Sequence, residues 1–265
     1  MKHRVISSPQ NTLIKKYKKL LKSPGYRRRE SMLALEGPNL VQEAIKVGLY
    51  PSVIFYTEQY YEHEGSAWLD ELHQSEKYLL DDLLFKKIAD TENPRAVAAI
   101  IPYKFTNPLP YIHDSSLFLI LDRVQDPGNM GTIIRTAAAV GVHRIYCLGG
   151  TVDPFSPKVL RATAGNIFRV SIEEVDSFDL LAKKLMASGI KMVAAVPGAG
   201  EIYWEADLKS PIALMIGNEA RGLDCKLLNM ADIKVQLPLA GKVESLNASV
   251  AAGVILYEAL RQRSE

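Results

Sequence analysis

From Leu117 to the C-terminus the chain repeats one pattern: a short apolar run, a turn rich in Gly, Asn or Pro, then a helical stretch. Leu117–Leu121, Arg144–Leu148, Phe168–Ile172, Lys191–Val196, Ile212–Ile216 and Val235–Leu239 read as strands. Asn129–Val140, Pro157–Ala164 and Phe178–Ser188 read as helices, and a long helix from Ala248 to Arg263 closes the chain. Ile212–Ile216 has the length of a buried strand and is too short for a helix. Alternation of this kind constrains the fold to an α/β layer structure: a mostly parallel sheet with helices on both faces. Ligands of such sheets bind in crevices outside the strand ends. Two loops therefore stand out, Gly217-Asn218-Glu219-Ala220-Arg221-Gly222 and Ala240 to Asn247.

The first half carries a smaller α/β pattern. Met32–Leu35, Val53–Tyr56 and Ala96–Pro102 read as strands; Gly37-Pro38 opens a helix to Val47, and further helices fall at Ala67–His73 and Asp81–Ala89. Pro at an early helical position suits the first of these. Thr106-Asn107-Pro108-Leu109-Pro110 breaks the pattern and serves as the linker. The expected domains are thus 1–105 and 115–265.

At 48% hydrophobic and 23% charged residues, the chain of 265 reads as a soluble globular protein. No apolar run approaches the roughly 20 residues that span a membrane. The N-terminus lacks the apolar core of a secretory signal. Cys147 and Cys225 form no motif, and the five histidines show no metal-ligand spacing. Buried free thiols in a reducing cytoplasm and no metal site are the expectations.

Charge is unevenly placed. The first 30 residues carry six Lys, four Arg and one Glu, a net +9 against +2 for the whole chain. Such a basic arm on an acidic body points to an anionic partner, nucleic acid first. Asn11–Lys22 reads as an amphipathic helix, with Leu13, Ile14, Tyr17, Leu20 and Leu21 on one face. Lys15, Lys16, Lys18, Lys19 and Lys22 take the other. A Pro24-Gly25 turn then presents Arg27, Arg28 and Arg29. Lysines on a helix and arginines on a loop can follow a phosphate backbone.

Gly198-Ala199-Gly200 follows a strand, but Tyr203 replaces the third glycine of a dinucleotide fingerprint and no clear helix follows. No phosphate-binding Gly-Lys-Ser/Thr loop exists either. Asp126-Pro127-Gly128-Asn129 is a turn entering a helix, with Asn129 as a suitable N-cap. Along that helix Met130, Ile133, Ile134, Ala137 and Ala138 share a face, and Arg135 falls away from it. Alone, Arg135 is a surface arginine.

Arg135 does not stand alone. Asn129-Met130-Gly131-Thr132-Ile133-Ile134-Arg135, then Ile216-Gly217-Asn218-Glu219-Ala220-Arg221-Gly222, then Leu237-Pro238 with Ser245-Leu246-Asn247-Ala248-Ser249, occur in this order. Together they resemble the three signature motifs of the SpoU (TrmH) family of SPOUT RNA ribose 2′-O-methyltransferases. The basic first half resembles, by layout and charge, the ribosomal-protein-like RNA-binding domain of many members. The resemblance implies a C-terminal trefoil knot, which general topology rules would have argued against. It implies S-adenosyl-L-methionine against the knot loops, carried here onto Val196, Pro197, Gly217, Asn218, Gly222, Leu237, Leu239 and Leu246. It also implies Arg135, Asn129, Glu219, Ser245 and Asn247 as catalytic residues. A guanidinium is normally a donor only, so Arg135 is read either as a phosphate clamp or as an unusual base. Glu219 is expected to hold Arg135 or a neighbour by a charge-assisted bond.

The expected function is methylation of a ribose 2′-hydroxyl in RNA, ribosomal RNA before transfer RNA. The alternatives are a non-catalytic ribosome-assembly protein and an NAD-binding enzyme. The closing helix carries Ala248, Val250, Ala251, Ala252, Val254, Ile255, Leu256, Ala259 and Leu260 around most of its circumference. A helix apolar all round is a buried one, and a homodimer is the expected partner.

Overall fold

The computed structural model describes residues 4–105, 116–241 and 245–264. The expected linker, Thr106 to Pro110, and Lys242, Val243 and Glu244 of the last loop lie outside these. The chain divides into two compact units, 1–105 with 155–168 and 106–154 with 169–265.

The first unit holds a five-stranded sheet. Its strands are β1 (Arg4–Val5), β2 (Met32–Glu36), β3 (Val53–Tyr56), β4 (Glu76–Leu79) and β5 (Val97–Pro102), in the order β1-β4-β3-β5-β2. Asn11 accepts a hydrogen bond from the Leu13 N–H and starts the Thr12–Lys22 helix. That helix buries Ile14, Tyr17, Leu20 and Leu21 among Phe55, Phe85 and Ile88. Tyr17 meets Phe55 edge-on at 5.7 Å and donates its hydroxyl to the Leu35 carbonyl at 3.2 Å. The arginine run corrects the expectation of a loop. Ser23 caps, and Pro24 opens, a helix over Pro24–Glu30.

Residues 155–168, expected with the second half, pack in this unit. Phe155 stacks with Tyr103 at 5.2 Å and Phe105 at 5.1 Å, and Arg161 pairs with Asp90 at 2.8 Å.

The second unit is a seven-stranded, wholly parallel sheet of β6 (Leu117–Leu121), β7 (Arg144–Leu148), β8 (Ser171–Val175), β9 (Lys191–Ala195), β10 (Glu201–Ile202), β11 (Ile212–Ile216) and β12 (Ile233–Gln236). The order is β10-β12-β9-β11-β6-β7-β8. Every residue of β6, β7 and β11 is buried, as expected of central parallel strands covered on both faces.

Two strands differ from the sequence reading. The Phe168–Ile172 stretch is instead a 3₁₀ turn, Asn166–Arg169, followed by β8, because Gly165 at φ +86° turns the chain and accepts the Phe168 N–H. The last sheet strand, read as Val235–Leu239, is Ile233–Gln236. Pro238 has no N–H for a ladder, so Leu237 to Leu239 leaves the sheet.

Candidate active site

The loops after β9, β11 and β12 and the start of the Ala248–Ser264 helix enclose an open cavity of about 280 Å³. That is near the lower end of small-molecule sites, about 300–1,000 Å³. Val196, Pro197, Gly217, Asn218, Gly222, Leu237, Leu239 and Leu246 all line it, with Glu219 and Ser245. Sequence reasoning missed Ala195, Ile216, Ala220, Ala248 and Ala251, which also line it. Ile216, Ala220 and Ala248 stand in the motifs but were given no role there; for Ala195 and Ala251 the only signal was position, at a strand end and just past the third motif.

The Gly217–Gly222 loop closes on itself. Asn218 and Gly222 exchange backbone hydrogen bonds at 3.1 and 2.8 Å, and the Asn218 Oδ1 accepts the Ala220 and Arg221 N–H groups at 3.0 Å. A Cβ on Gly217 would lie 2.3 Å from the backbone of Gly222 and Leu223, so only glycine fits there.

Asn129 is the polar hub beside this loop. The expectation that it caps its helix is corrected: Asp126 does so, accepting the Asn129 N–H at 2.7 Å, with Pro127 at the first helical position. The Asn129 side chain is thereby left for tertiary contacts. Its Nδ2 donates to the Glu219 Oε1 at 2.7 Å, and its Oδ1 accepts from the Asn247 Nδ2 at 2.8 Å. Ser249, part of the third motif but given no role from sequence, donates its hydroxyl to the Asn247 Oδ1 at 2.6 Å and lies 3.4 Å from the Asn129 Oδ1. Three motifs far apart in sequence thus meet in one hydrogen-bonded chain. Glu219 holds Asn129 rather than Arg135.

The fold does not bring every expected residue together. Arg135 is exposed, six residues and about 9 Å of helical rise beyond Asn129, and is not among the cavity-lining residues. Its guanidinium has no partner among the described residues. Ser245 is exposed on the cavity wall.

Gly200, part of the rejected dinucleotide pattern, has a structural reason. A Cβ there would lie 2.2 Å from the Lys234 carbonyl oxygen, and strand β10 follows it rather than a helix.

In the first unit, Lys15, Lys18, Lys19, Arg28 and Arg29 are exposed and Lys16 is half-buried. Lys19 and Arg29 lie 4.4 and 4.8 Å from the Tyr26 ring centroid. Arg27 corrects the expectation. It is 2% exposed, and its Nη1 donates to the Leu20 and Leu21 carbonyls at 2.6 and 3.2 Å. It ties the end of one helix to the next and is withdrawn from the basic surface. Among the described residues no group of three or more His, Cys, Asp or Glu is placed to hold a metal, and no helix is long and apolar enough to cross a membrane.

Residues 116–257 match the model of the SpoU rRNA methylase family. The chain belongs to that family. Residues 11–99 of this member match an MRM3-like substrate-binding domain. A Synechocystis protein described as an uncharacterized tRNA/rRNA methyltransferase is 37% identical over 97% of this chain and 94% of its own length. The 23S rRNA (guanosine(2553)-2′-O)-methyltransferase of Bacillus subtilis is 31% identical over 95% and 97%. The AdoMet-bound rRNA methyltransferase of Sinorhizobium meliloti has the same fold, with a TM-score of 0.83 at 30% identity over 97% of both chains.

The cavity fits the cofactor that this family implies. Val196, Pro197, Leu237, Leu239 and Leu246 offer apolar contact to a purine ring, and the Gly217–Gly222 backbone supplies polar groups. The Glu219 carboxylate on the wall complements a cationic sulfonium, and among the described residues that line the cavity there is no Lys or Arg to oppose it.

Proposed function

We propose that this protein transfers a methyl group from S-adenosyl-L-methionine to the 2′-hydroxyl of a ribose in ribosomal RNA. The observation that carries the proposal is the Glu219–Asn129–Asn247 chain of hydrogen bonds beside an apolar cavity to which Glu219 itself contributes. Bound in that cavity, the cofactor supplies an activated methyl group on sulfur. The residues of the chain supply alignment and proton removal. Glu219 and Asn247 fix the Asn129 amide, which orients the incoming ribose. Ser245, on the cavity wall, offers a second short polar contact. Arg135, with its fork of donors open, clamps the phosphate beside the target hydroxyl or, as an unusual base, takes the proton that the hydroxyl gives up as the methyl leaves sulfur. The first unit binds the RNA through the lysines of Thr12–Lys22 with Arg28 and Arg29. The 23S rRNA activity of the Bacillus relative supports ribosomal RNA as the substrate.

A C-terminal trefoil knot, a homodimer and a cytoplasmic location belong to the same reading. The knot is supported by residues of three separate stretches bordering one cavity: 195–197, the Gly217 loop, and Leu237 and Leu239 with Leu246 and Ala248. The dimer is supported by Val250 and Tyr257, 50% and 55% exposed on the last helix. Mapping of 2′-O-methyl sites on total RNA from cells with and without the protein tests the function. One ribosomal site that disappears on deletion and returns with the gene is the expected result. An unchanged map would overturn it. Titration with S-adenosyl-L-methionine and, separately, NAD tests the cofactor.

A further inference from the structure

The loop that walls the cavity is held from behind by two consecutive residues, Asp122 and Arg123. Both follow strand β6, and neither lines the cavity. Asp122 grips the two ends of the loop. Its N–H donates to the Ile216 carbonyl at 2.9 Å, where the loop leaves β11. Its Oδ2 accepts the Asp224 N–H at 2.8 Å, where the loop returns. Arg123 grips the middle. Its carbonyl accepts from the Asn218 Nδ2 at 2.9 Å, and its Nη2 lies 3.5 Å from the Gly222 carbonyl oxygen. The two side chains form a fork, with Nε to Oδ1 at 3.0 Å and Nη2 to Oδ2 at 2.9 Å. Asp122 is 4% exposed, and its carboxylate is met by that fork and by the Asp224 N–H. Arg123 sits in the left-handed region at φ +55°, a conformation unusual for a side chain of its size.

We propose that Asp122 and Arg123 are positioning residues for the cofactor, holding the Gly217–Leu223 loop in the shape that receives it. The inference rests on the cofactor reading of the cavity. Four attachment points, Ile216, Asn218, Gly222 and Asp224, converge on two residues that touch no cavity surface. A loop with such a rear brace is ordered before the ligand arrives, so binding has less ordering to bring about. Loss of the Arg123 side chain leaves the Gly222 carbonyl with the Asn218 N–H alone and Asp122 buried without its fork. Asn218 keeps its bond to the Arg123 backbone. The loop then samples other shapes while its cavity-lining residues remain in place.

The test uses the full chain with Arg123→Ala, Arg123→Lys and Asp122→Asn, each compared with the parent by calorimetric titration with S-adenosyl-L-methionine. Methylation kinetics and amide hydrogen exchange of residues 218–224 accompany it. Arg123→Ala is expected to weaken cofactor affinity by about tenfold or more, the cost of a charged hydrogen bond. At saturating cofactor its kcat stays within about threefold of the parent, because the effect lies in binding. Exchange at Ala220 and Arg221 speeds up, while strands β6 and β11 keep their protection. Arg123→Lys, which retains the charge without the fork, recovers part of the affinity. Parent-like cofactor affinity and loop exchange in Arg123→Ala would overturn the brace. An affinity loss matched by equal loss of protection in β6 and β11 would overturn it as well, since that marks general destabilisation. A parent that does not bind S-adenosyl-L-methionine would instead sink the cofactor reading.

Discussion

At the scale of single residues, Asn129 and Arg135 share a helix but have opposite surroundings. Asn129 is fixed by Glu219 and Asn247, whereas Arg135 projects into solvent with no partner among the described residues. Their substitutions should therefore fail differently. Arg135→Ala should leave S-adenosyl-L-methionine affinity within a few-fold, since no cavity-lining residue changes. Methylation should fall by about two orders of magnitude or more, the scale of removing a charge clamp or base. Single-turnover rates on pre-bound RNA check this, and a parent-like rate would remove Arg135 from the chemistry. Substantial rescue by Arg135→Lys would favour the phosphate clamp, because lysine keeps the charge.

At the scale of elements, the turn before β11 is tied down by Asp207. Its carboxylate accepts from Lys191 Nζ at 2.9 Å and Ser210 Oγ at 2.8 Å, and from the backbone of Lys209 and Ser210. The last helix reinforces the turn through Gln262, bonded to Leu208 and Ala206, and Arg263, bonded to Ser210. The hydrogen bond from Lys191, followed by that from Ser210, holds the Asp207 pKa well below the usual carboxylate range. A depressed folded-state pKa stabilises above the unfolded value and ceases to do so as pH falls toward the folded one. Asp207→Asn should therefore lower Tm at neutral pH, with the gap closing below about pH 4. The side chain is 48% exposed, so the gap should be small, about 4 °C at most. Thermal melts from pH 3 to 7 test it; a gap independent of pH would mean that the charge is not involved. Such elements were legible in the sequence to unequal degrees. β3, β6, β7 and β11 were read to the residue, because buried strands are continuous apolar runs. Strands β1, β4 and β10 were missed: Glu76-Lys77-Tyr78-Leu79 is too polar to signal a strand and pairs only because β3 and β1 flank it. The second and third motifs marked the cavity wall, and the first marked Asn129 beside it. The Asp122–Arg123 brace went unread, since its bonds to the loop join residues about 100 positions apart and leave no local period.

At the scale of the whole molecule, two surfaces lack an explanation inside one chain. The last helix buries Ala248, Ala252, Ile255, Leu256 and Ala259 but leaves Val250 and Tyr257 exposed, seven residues apart and so on one face. Tyr257→Glu should convert a dimer into a monomer in sedimentation at micromolar concentration; a parent that is already monomeric would contradict the assembly. The second surface is the lysine face of Thr12–Lys22. Deleting residues 1–30 would not test it cleanly, because the same helix buries Ile14, Tyr17 and Leu20 in the core of its unit. Replacing exposed Lys15, Lys18 and Lys22 together by Gln keeps a comparable helix propensity and removes only charge. RNA affinity should then fall. Its logarithmic dependence on salt should become shallower by about 0.7–0.9 for each phosphate that is no longer neutralised, because fewer counterions are released. S-adenosyl-L-methionine affinity should not change, since none of the three lysines lines the cavity. Filter binding across a salt series measures both the affinity and the slope. If the triple variant kept the parent slope, the lysines would be an ordinary solvated face, and the RNA would have to be held by other parts of the chain.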